Sequence, residues 1–380
     1  MIYCALRNIP VLERLFKGEN MENCILLSKE DLLFNAKNII DAVNSPVIAV
    51  VKCNGYGIGI DKAVQIWYEA GIRYFAVSEP KEAFSIRAMG YEDCNILLLA
   101  PVWDKQTIQR LCECNVILTV TSKECAENYA SVAAARVHVK VNVGMGRFGI
   151  KHTKTDLIKE IYTVEGLSFE GIFAHFPMAF GDDETITFRQ LNDFTGIVQE
   201  LRSSGINTGI AHIANSSAAL KYPATHLDAV RIGSALTGRL LVNPGFELKR
   251  IGIFRATVAD VNELEKNDTS GYSCIYKAKK DVKTAVITAG YTDGIGMERV
   301  IPIRNFRDRL SRILKLLRGG KSAGTVKYEN KKLPILGRIG TQYTVIGRGK
   351  TDIKPGDTVE IDVNMMLINS NVPRVYKENI

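Results

Sequence analysis

The chain is predicted to fold as an α/β protein, an N-terminal TIM (β/α)8 barrel followed by a C-terminal mostly β domain. Three observations predict this. First, the nearly continuous apolar runs PVIAVV, RYFAVS, NILLLA, NVILTV, VHVKV, FEGIFAHF and IAHIA recur between Cys24 and Leu241. Runs of that kind are how parallel strands buried on both faces read. Second, amphipathic stretches such as DKAVQIWYEAG, PKEAFSIRAMG and ETITFRQLNDFTGIVQELRSSG lie between them, and several end in Gly, a common helix stop. Third, beyond Asn243 the texture changes to short β runs (IGIFRATVADVNEL, TAVITAG, KLPILGRIG, QYTVIGRG, DTVEIDV) broken by Gly, Asp, Asn and Lys, the pattern of a second, mostly β domain. Seven or eight βα units in about 215 residues suit a barrel, for which about 250 residues is typical. Alternation alone leaves a doubly wound sheet open.

Taken in order, residues 1–21 fit neither pattern and read as an N-terminal extension, with MENCILLSKEDLL a natural start at Met21. Ser28 is the expected N-cap of the first helix, SKEDLLFNAKNIIDAV, which carries acidic residues in its first turn. Residues 22–243 are assigned to the barrel and 244–380 to the C-terminal β domain.

Composition bounds the function. Of the 380 residues, 46% are apolar and 24% charged, enough for a sizeable core. No apolar run approaches the roughly 18 residues of a membrane span and no signal-peptide pattern opens the chain, so a soluble, cytoplasmic protein without a membrane partner is expected. The net charge of +8 arises from 49 Lys+Arg against 41 Asp+Glu. It is densest from Arg304 to Lys332, read as a solvated basic face and not as a nucleic-acid footprint. The eight cysteines form no paired CxxC sets, so reduced thiols and no metal site are expected.

The run VIAVVKCNGYGIG places Lys52 at the C-terminal end of a buried strand, followed by glycines at 55, 57 and 59. That end of a barrel is its active-site mouth. A lysine beside apolar walls has a lowered pKa and forms Schiff bases with carbonyl compounds. The glycines let backbone approach a phosphate, and Tyr56 can donate to it. On its own, a strand-end lysine is also a common surface charge. A second motif, GMGRFG after the strand HVKV, satisfies GxGxxG with Glu165 downstream. Arg147 inside the supposed tight turn, and the motif's depth in the chain, argue against a dinucleotide fold.

In order, from about residue 22 to 376, the chain resembles the alanine racemases, two-domain enzymes dependent on pyridoxal 5'-phosphate (PLP). The family's VKANAYGHG is matched by VKCNGYGIG. The resemblance implies Lys52 as Schiff-base lysine and one of two catalytic bases, with Tyr56 on the phosphate. Within HVKVNVGMGRFG it implies Arg147 near the cofactor and substrate carboxylate, and Lys140 as a lysine often carbamylated in the family. GIFAHFPMA resembles the family's strand with HFA, which implies His175 near the pyridine ring. HIANSSAAL supplies Asn215 and the phosphate ligand Ser216, with His212 just behind. In AVRIGSALTG, Arg231 would hydrogen-bond the pyridine nitrogen and the amides of Gly233 and Ser234 would hold phosphate. An always-charged Arg there leaves the nitrogen unprotonated, which favours proton return to Cα over amino transfer. ITAGYTDGIG implies Tyr291 as the second base, contributed by the partner subunit of an obligate homodimer with shared active sites. A phenol is a weak base near neutrality, so nearby cations must draw on its proton, His212 and Arg231 among the relay.

The resemblance breaks in the C-terminal domain. The family's GRICMDQ reads GRIGTQY, so Thr341 and Gln342 stand on the substrate side where Met and Asp are usual. SYRVPR reads NSNVPR, leaving Ser370 (or Asn369 or Asn371) in place of a tyrosine, and the continuation after GYTDG is IGMERV. The expected activity is racemisation of a small amino acid, L-/D-alanine first and serine or a broader range second. The rivals are a PLP-binding protein without turnover, against which the second domain and Tyr291 argue, and a fold-related decarboxylase, whose C-terminal cysteine motif and glycine-rich phosphate loop are missing.

Overall fold

A computed structural model of the chain describes residues 23–181, 183–297, 309–310, 313–314 and 326–377. The extension expected at residues 1–21, and most of the basic stretch 304–332, lie outside the described residues. The chain divides into two compact units, Ser28–Ile251 and a second made of Met1–Leu27 with Gly252–Lys377.

In the first unit eight strands carry the sheet: β1 (Val47–Val50), β2 (Tyr74–Val77), β3 (Asn95–Leu98), β4 (Leu118–Val120), β5 (Ala135–Asn142), β6 (Leu167–Phe173), β7 (Ile210–His212) and β8 (Val230–Ile232). All pairings are parallel: β8–β1–β2–β3 form one run and β4–β5–β6–β7 another. A parallel bridge from Leu97 to Ile117 joins β3 to β4. Hydrogen bonds from Asp228 N to Ala211 O (3.0 Å) and Arg231 N to Ala214 O (3.0 Å) join β7 to β8. The ring is therefore closed, which selects the barrel over the doubly wound sheet. Ile48, Val50, Ala76, Leu97 and Ile117 pack its interior, as the β-branched runs require.

The helices between strands start where the sequence supplies caps. Ser28 Oγ accepts from Asp31 N at 3.1 Å, Asp104 caps Lys105–Glu113, and Ser122 caps Lys123–Ala130. Each cap satisfies an amide that the first helical turn leaves unpaired.

The second unit is built on a twelve-residue strand, Ile253–Leu264, which pairs antiparallel with Val282–Ile287, Thr358–Asp362 and Cys24–Ser28. The last pairing puts Cys24–Ser28 in the sheet of the C-terminal unit. CILLS is buried at every position and finds sheet neighbours on both edges, Ile253–Leu264 and Arg374–Lys377, in the C-terminal unit. The compact unit that holds the barrel strands runs to Ile251. Buried Asn35, on helix Lys29–Ala42, donates to Lys249 O and accepts from Lys249 N, both at 2.7 Å. The apparently featureless stretch after Asn243 is thereby tied to the barrel unit. No helix among the described residues is long and apolar enough to cross a membrane.

Candidate active site at the barrel mouth

Beyond β1, Lys52–Tyr56 forms a single short turn in which Cys53, Asn54, Gly55 and Tyr56 all take positive φ (54°, 55°, 63° and 56°). Left-handed backbone is costly for side chains with a Cβ, and strain of this kind collects at functional sites. The turn is held by its own atoms: Asn54 Oδ1 accepts from Ile60 N at 2.9 Å and Asn54 O from the amides of Gly57 and Gly59. Gly55 is required because a Cβ there would meet Ala63 Cβ at 2.8 Å. All three glycines take positive φ within this turn or just beyond it. The result presents Lys52 and Tyr56 to the same cavity.

That cavity, of about 340 Å³, is lined by Lys52, Lys140, Arg147, Arg231, His175 and Ser216 among others, and no Asp or Glu among the described residues lines it. Lys52, Arg147 and Arg231, with the buried Lys140 amine beside them and no lining carboxylate among the described residues, suit an anionic ligand. At one end, Ser216 Oγ accepts from the Gly233 and Ala235 amides at 3.1 and 3.5 Å. A Cβ on Gly233 would overlap the Tyr56 hydroxyl, so the glycine opens a cradle walled by Tyr56, Ser216 and Ser234. Asn215 caps the helix Ser216–Lys221 through Ala218 N (3.0 Å) and donates to Phe176 O (3.1 Å), fixing the cradle's wall.

At the other end Arg231, 4% exposed, donates to the carbonyls of Ala174 (2.6 Å), His212 (3.1 Å) and Ile213 (3.1 Å) and to His212 Nδ1 (2.6 Å). His175 Nδ1 lies 3.3 Å from its Nη2. Burial draws the guanidinium down to about 9, so it stays charged at neutral pH. That cation, together with burial, keeps the rings of His175 and His212 neutral, their pKa values lying well below the ordinary imidazole range first through desolvation and then through Arg231. Lys140 is 8% exposed with its Nζ 3.9 Å from the Phe173 ring centroid. Burial, then Arg231 and Arg147, push its ammonium well below the usual lysine range.

Arg147 rides on the loop after β5. Asn142 Oδ1 gathers that loop by accepting from the amides of Gly144 (3.0 Å) and Gly146 (3.1 Å). Gly149 lets it return against Lys140, whose carbonyl a Cβ would meet at 2.5 Å. The GxGxxG match therefore closes into the short strand Ile150–Lys151 beside β5 and opens no helix, which removes the dinucleotide reading.

The remaining expected residues belong to the C-terminal unit, where they converge. Tyr291 N donates to Gly340 O at 2.9 Å, and Thr292 N and Oγ1 donate to Thr341 O at 3.0 and 2.9 Å. Asn369 N reaches Asp293 O at 3.1 Å and its Nδ2 reaches Thr292 O at 3.0 Å. Tyr291 is 50% exposed, and Gln342 and Ser370 are exposed. Two segments that diverge from the expected motifs, at Thr341 and Asn369, thus cluster around the GYTDG turn that matches.

Sequence reading missed His138 and Tyr74. His138, 1% exposed, lies on β5 two residues before Lys140, and the period of two along a strand puts both on one face. That alternation was the available signal.

The chain matches the family model "Alanine racemase, N-terminal domain" over residues 28–240 and "Alanine racemase, C-terminal domain" over 252–370. An alanine racemase of Methanococcus maripaludis is 30% identical over 347 residues, covering 86% of this chain and 85% of the relative. One of Desulforamulus reducens is 30% identical over 389 residues, covering 92% and 97%. Among solved structures, alanine racemase from Bacillus anthracis with bound L-Ala-P superposes with a TM-score of 0.80 at 24% identity, covering 95% of this chain and 96% of that one. The enzyme from D-cycloserine-producing Streptomyces lavendulae gives 0.80 at 23%, covering 96% and 99%. At these identities the structural likeness bears on the fold.

Proposed function

We propose, from the premise that this chain belongs to the alanine racemase family, that it interconverts L- and D-alanine with PLP held in the barrel mouth. The family's relatives are isomerases, and the chain is an enzyme of that class. The observation that carries the cofactor reading is the cavity lined by Lys52, Lys140, Arg147 and Arg231 with no carboxylate among the described residues. Its glycine cradle suits a phosphate at one end, and its buried guanidinium suits a ring nitrogen at the other. Tyr56, Ser216, Gly233 and Ser234 would hold the phosphate, Arg231 and His175 would face the ring, and Lys52 Nζ would carry the group. When bound, PLP supplies the electron sink that acidifies an amino acid's Cα–H.

The chain's own residues then divide the work. Arg147 pairs with the substrate carboxylate. Lys52 Nζ takes or returns the Cα proton on one face, and the partner subunit's Tyr291 Oη does so on the other. Racemisation needs both faces, so the functional species is a homodimer with shared sites. The Lys140 amine, whose charged form burial, Arg231 and Arg147 disfavour, is a nucleophile toward carbon dioxide, giving a carbamate and a proton. The resulting anion would pair with Arg147. Growth or incubation with 13C-labelled bicarbonate should yield one carbamate resonance that is absent from Lys140→Ala.

A chiral assay over a panel of amino acids tests the activity. Alanine should turn over fastest, with borohydride fixing PLP to Lys52 in the same preparation. Serine is the second reading, favoured by Thr341, Gln342 and Ser370 standing where the family carries Met, Asp and Tyr. Serine turning over much faster than alanine would select it.

A further inference from the structure

A line of four side chains crosses the barrel interior from β8 to β2. Arg231 Nη1 lies 2.6 Å from His212 Nδ1, His212 Nε2 lies 2.9 Å from His138 Nδ1, and His138 Nε2 lies 3.1 Å from Tyr74 Oη. A guanidinium has donors only, so His212 Nδ1 must accept. A neutral imidazole has one N–H and one lone pair; His212 therefore carries its proton on Nε2 and donates to His138 Nδ1. His138 in turn carries its proton on Nε2 and donates to Tyr74 Oη. Any other neutral arrangement sets two N–H groups, or two lone pairs, face to face. A proton added to either ring does the same, and both rings are fully enclosed.

The protein is shaped around this line. Gly171 on β6 leaves room for the His138 ring, whose atoms a Cβ would meet at 2.5 to 2.6 Å. Phe173 stacks on His212 at 5.0 Å and 5° between planes, and meets His138 edge-on at 6.3 Å. Such packing specifies the plane of each ring as well as its partners.

We propose that His138, backed by Tyr74, is a positioning residue for Arg231. By accepting from His212 Nε2 it locks that ring with its Nδ1 lone pair aimed at the guanidinium. Arg231 then faces the cavity as a fixed, fully charged donor. Its consequence for catalysis rests on the PLP reading above; the tautomer lock itself does not.

The chain's five histidines make the lock observable. In protein labelled with 15N-histidine, His212 and His138 should both appear as Nε2–H tautomers, with and without cofactor, unchanged between about pH 6 and 9. His138→Phe, with Tyr74→Phe as the milder variant, should release the His212 signal. His138→Gln, whose amide can accept from His212 and donate to Tyr74, should restore it. In the loaded enzyme, His138→Phe should raise the fraction of turnovers that end in pyruvate by about tenfold, the scale of one lost charge-assisted hydrogen bond, with substrate KM little changed and His138→Gln reverting it. A proton on His212 Nδ1 overturns the proposal. So does an unchanged product partition in folded His138→Phe and Tyr74→Phe. Absence of a borohydride-fixed adduct in the wild-type protein would instead overturn the PLP reading, and the NMR arm alone then decides the lock.

Discussion

Arg231 sets the electrostatics of the barrel at the scale of single residues. Its burial forces every neighbour to be an acceptor or neutral, and three histidines respond. His138 is pulled down to about 3, chiefly by desolvation and then by Arg231, and His175 and His212 also lie far below the ordinary range. The folded state thus holds these rings unprotonated where the unfolded chain, with pKa near 6.5, binds protons. More protons bound by the unfolded state means that stability rises with pH. Between pH 6.5 and about 3 the His138 ring alone should cost up to about 1.4 kcal/mol per pH unit, and His175 and His212 act in the same direction. Thermal unfolding should show a Tm that falls from pH 7 to pH 5, less steeply in His138→Gln. A flat profile would mean that the rings are protonated in the fold. Gly233 makes a second residue-scale prediction. A Cβ there would crowd the Tyr56 hydroxyl and ring, so in folded Gly233→Ala a cofactor titration should show PLP binding weakened by about tenfold, one hydrogen bond's worth. Unchanged affinity would detach Gly233 from the phosphate end.

At the scale of elements, the barrel strands were legible because burial on both faces leaves an unbroken apolar run, as in PVIAVV and NILLLA. Helix starts were legible where a cap was present, as at Ser28. The strand Cys24–Ser28 was not, since an apolar run carries no mark of which sheet receives it. Nor was the left-handed turn after Lys52: glycines at 55, 57 and 59 signal permissive backbone, but Cys53 and Tyr56 adopt positive φ without any compositional cue. The tie between Asn35 and Lys249 spans 214 residues, a separation no local pattern reveals. Asn35→Ala removes a buried donor and acceptor together and should lower the barrel's unfolding free energy by about 2–3 kcal/mol in urea titration. A change under about 0.5 kcal/mol, that of an ordinary surface substitution, would show that residues 244–251 are held by other means. The site followed the same rule. Lys52, Arg147, Ser216 and Arg231 sit in ordered motifs, whereas His138 and Tyr74 act through distances across the barrel that only the closed ring creates.

For the whole molecule, the two units divide the chemistry. The barrel unit carries Lys52 and the anion-binding cavity; the C-terminal unit carries Tyr291 in a cluster with Thr341 and Asn369. The proposed racemase completes each site with the partner subunit's Tyr291, a C2 arrangement in which each copy gives and receives the same residue. Dilution below the dimer dissociation constant should therefore abolish turnover while leaving PLP fixed to Lys52. The most direct measurement mixes two inactive variants, Lys52→Ala and Tyr291→Phe, under conditions that exchange subunits, and follows racemisation of L-alanine. A hybrid dimer regains one intact site out of two, and random exchange makes half the dimers hybrids, so activity should return to about a quarter of the wild-type level. No activity above the separate parents, with hybrid dimers present by mass, would contradict a two-base site shared between subunits.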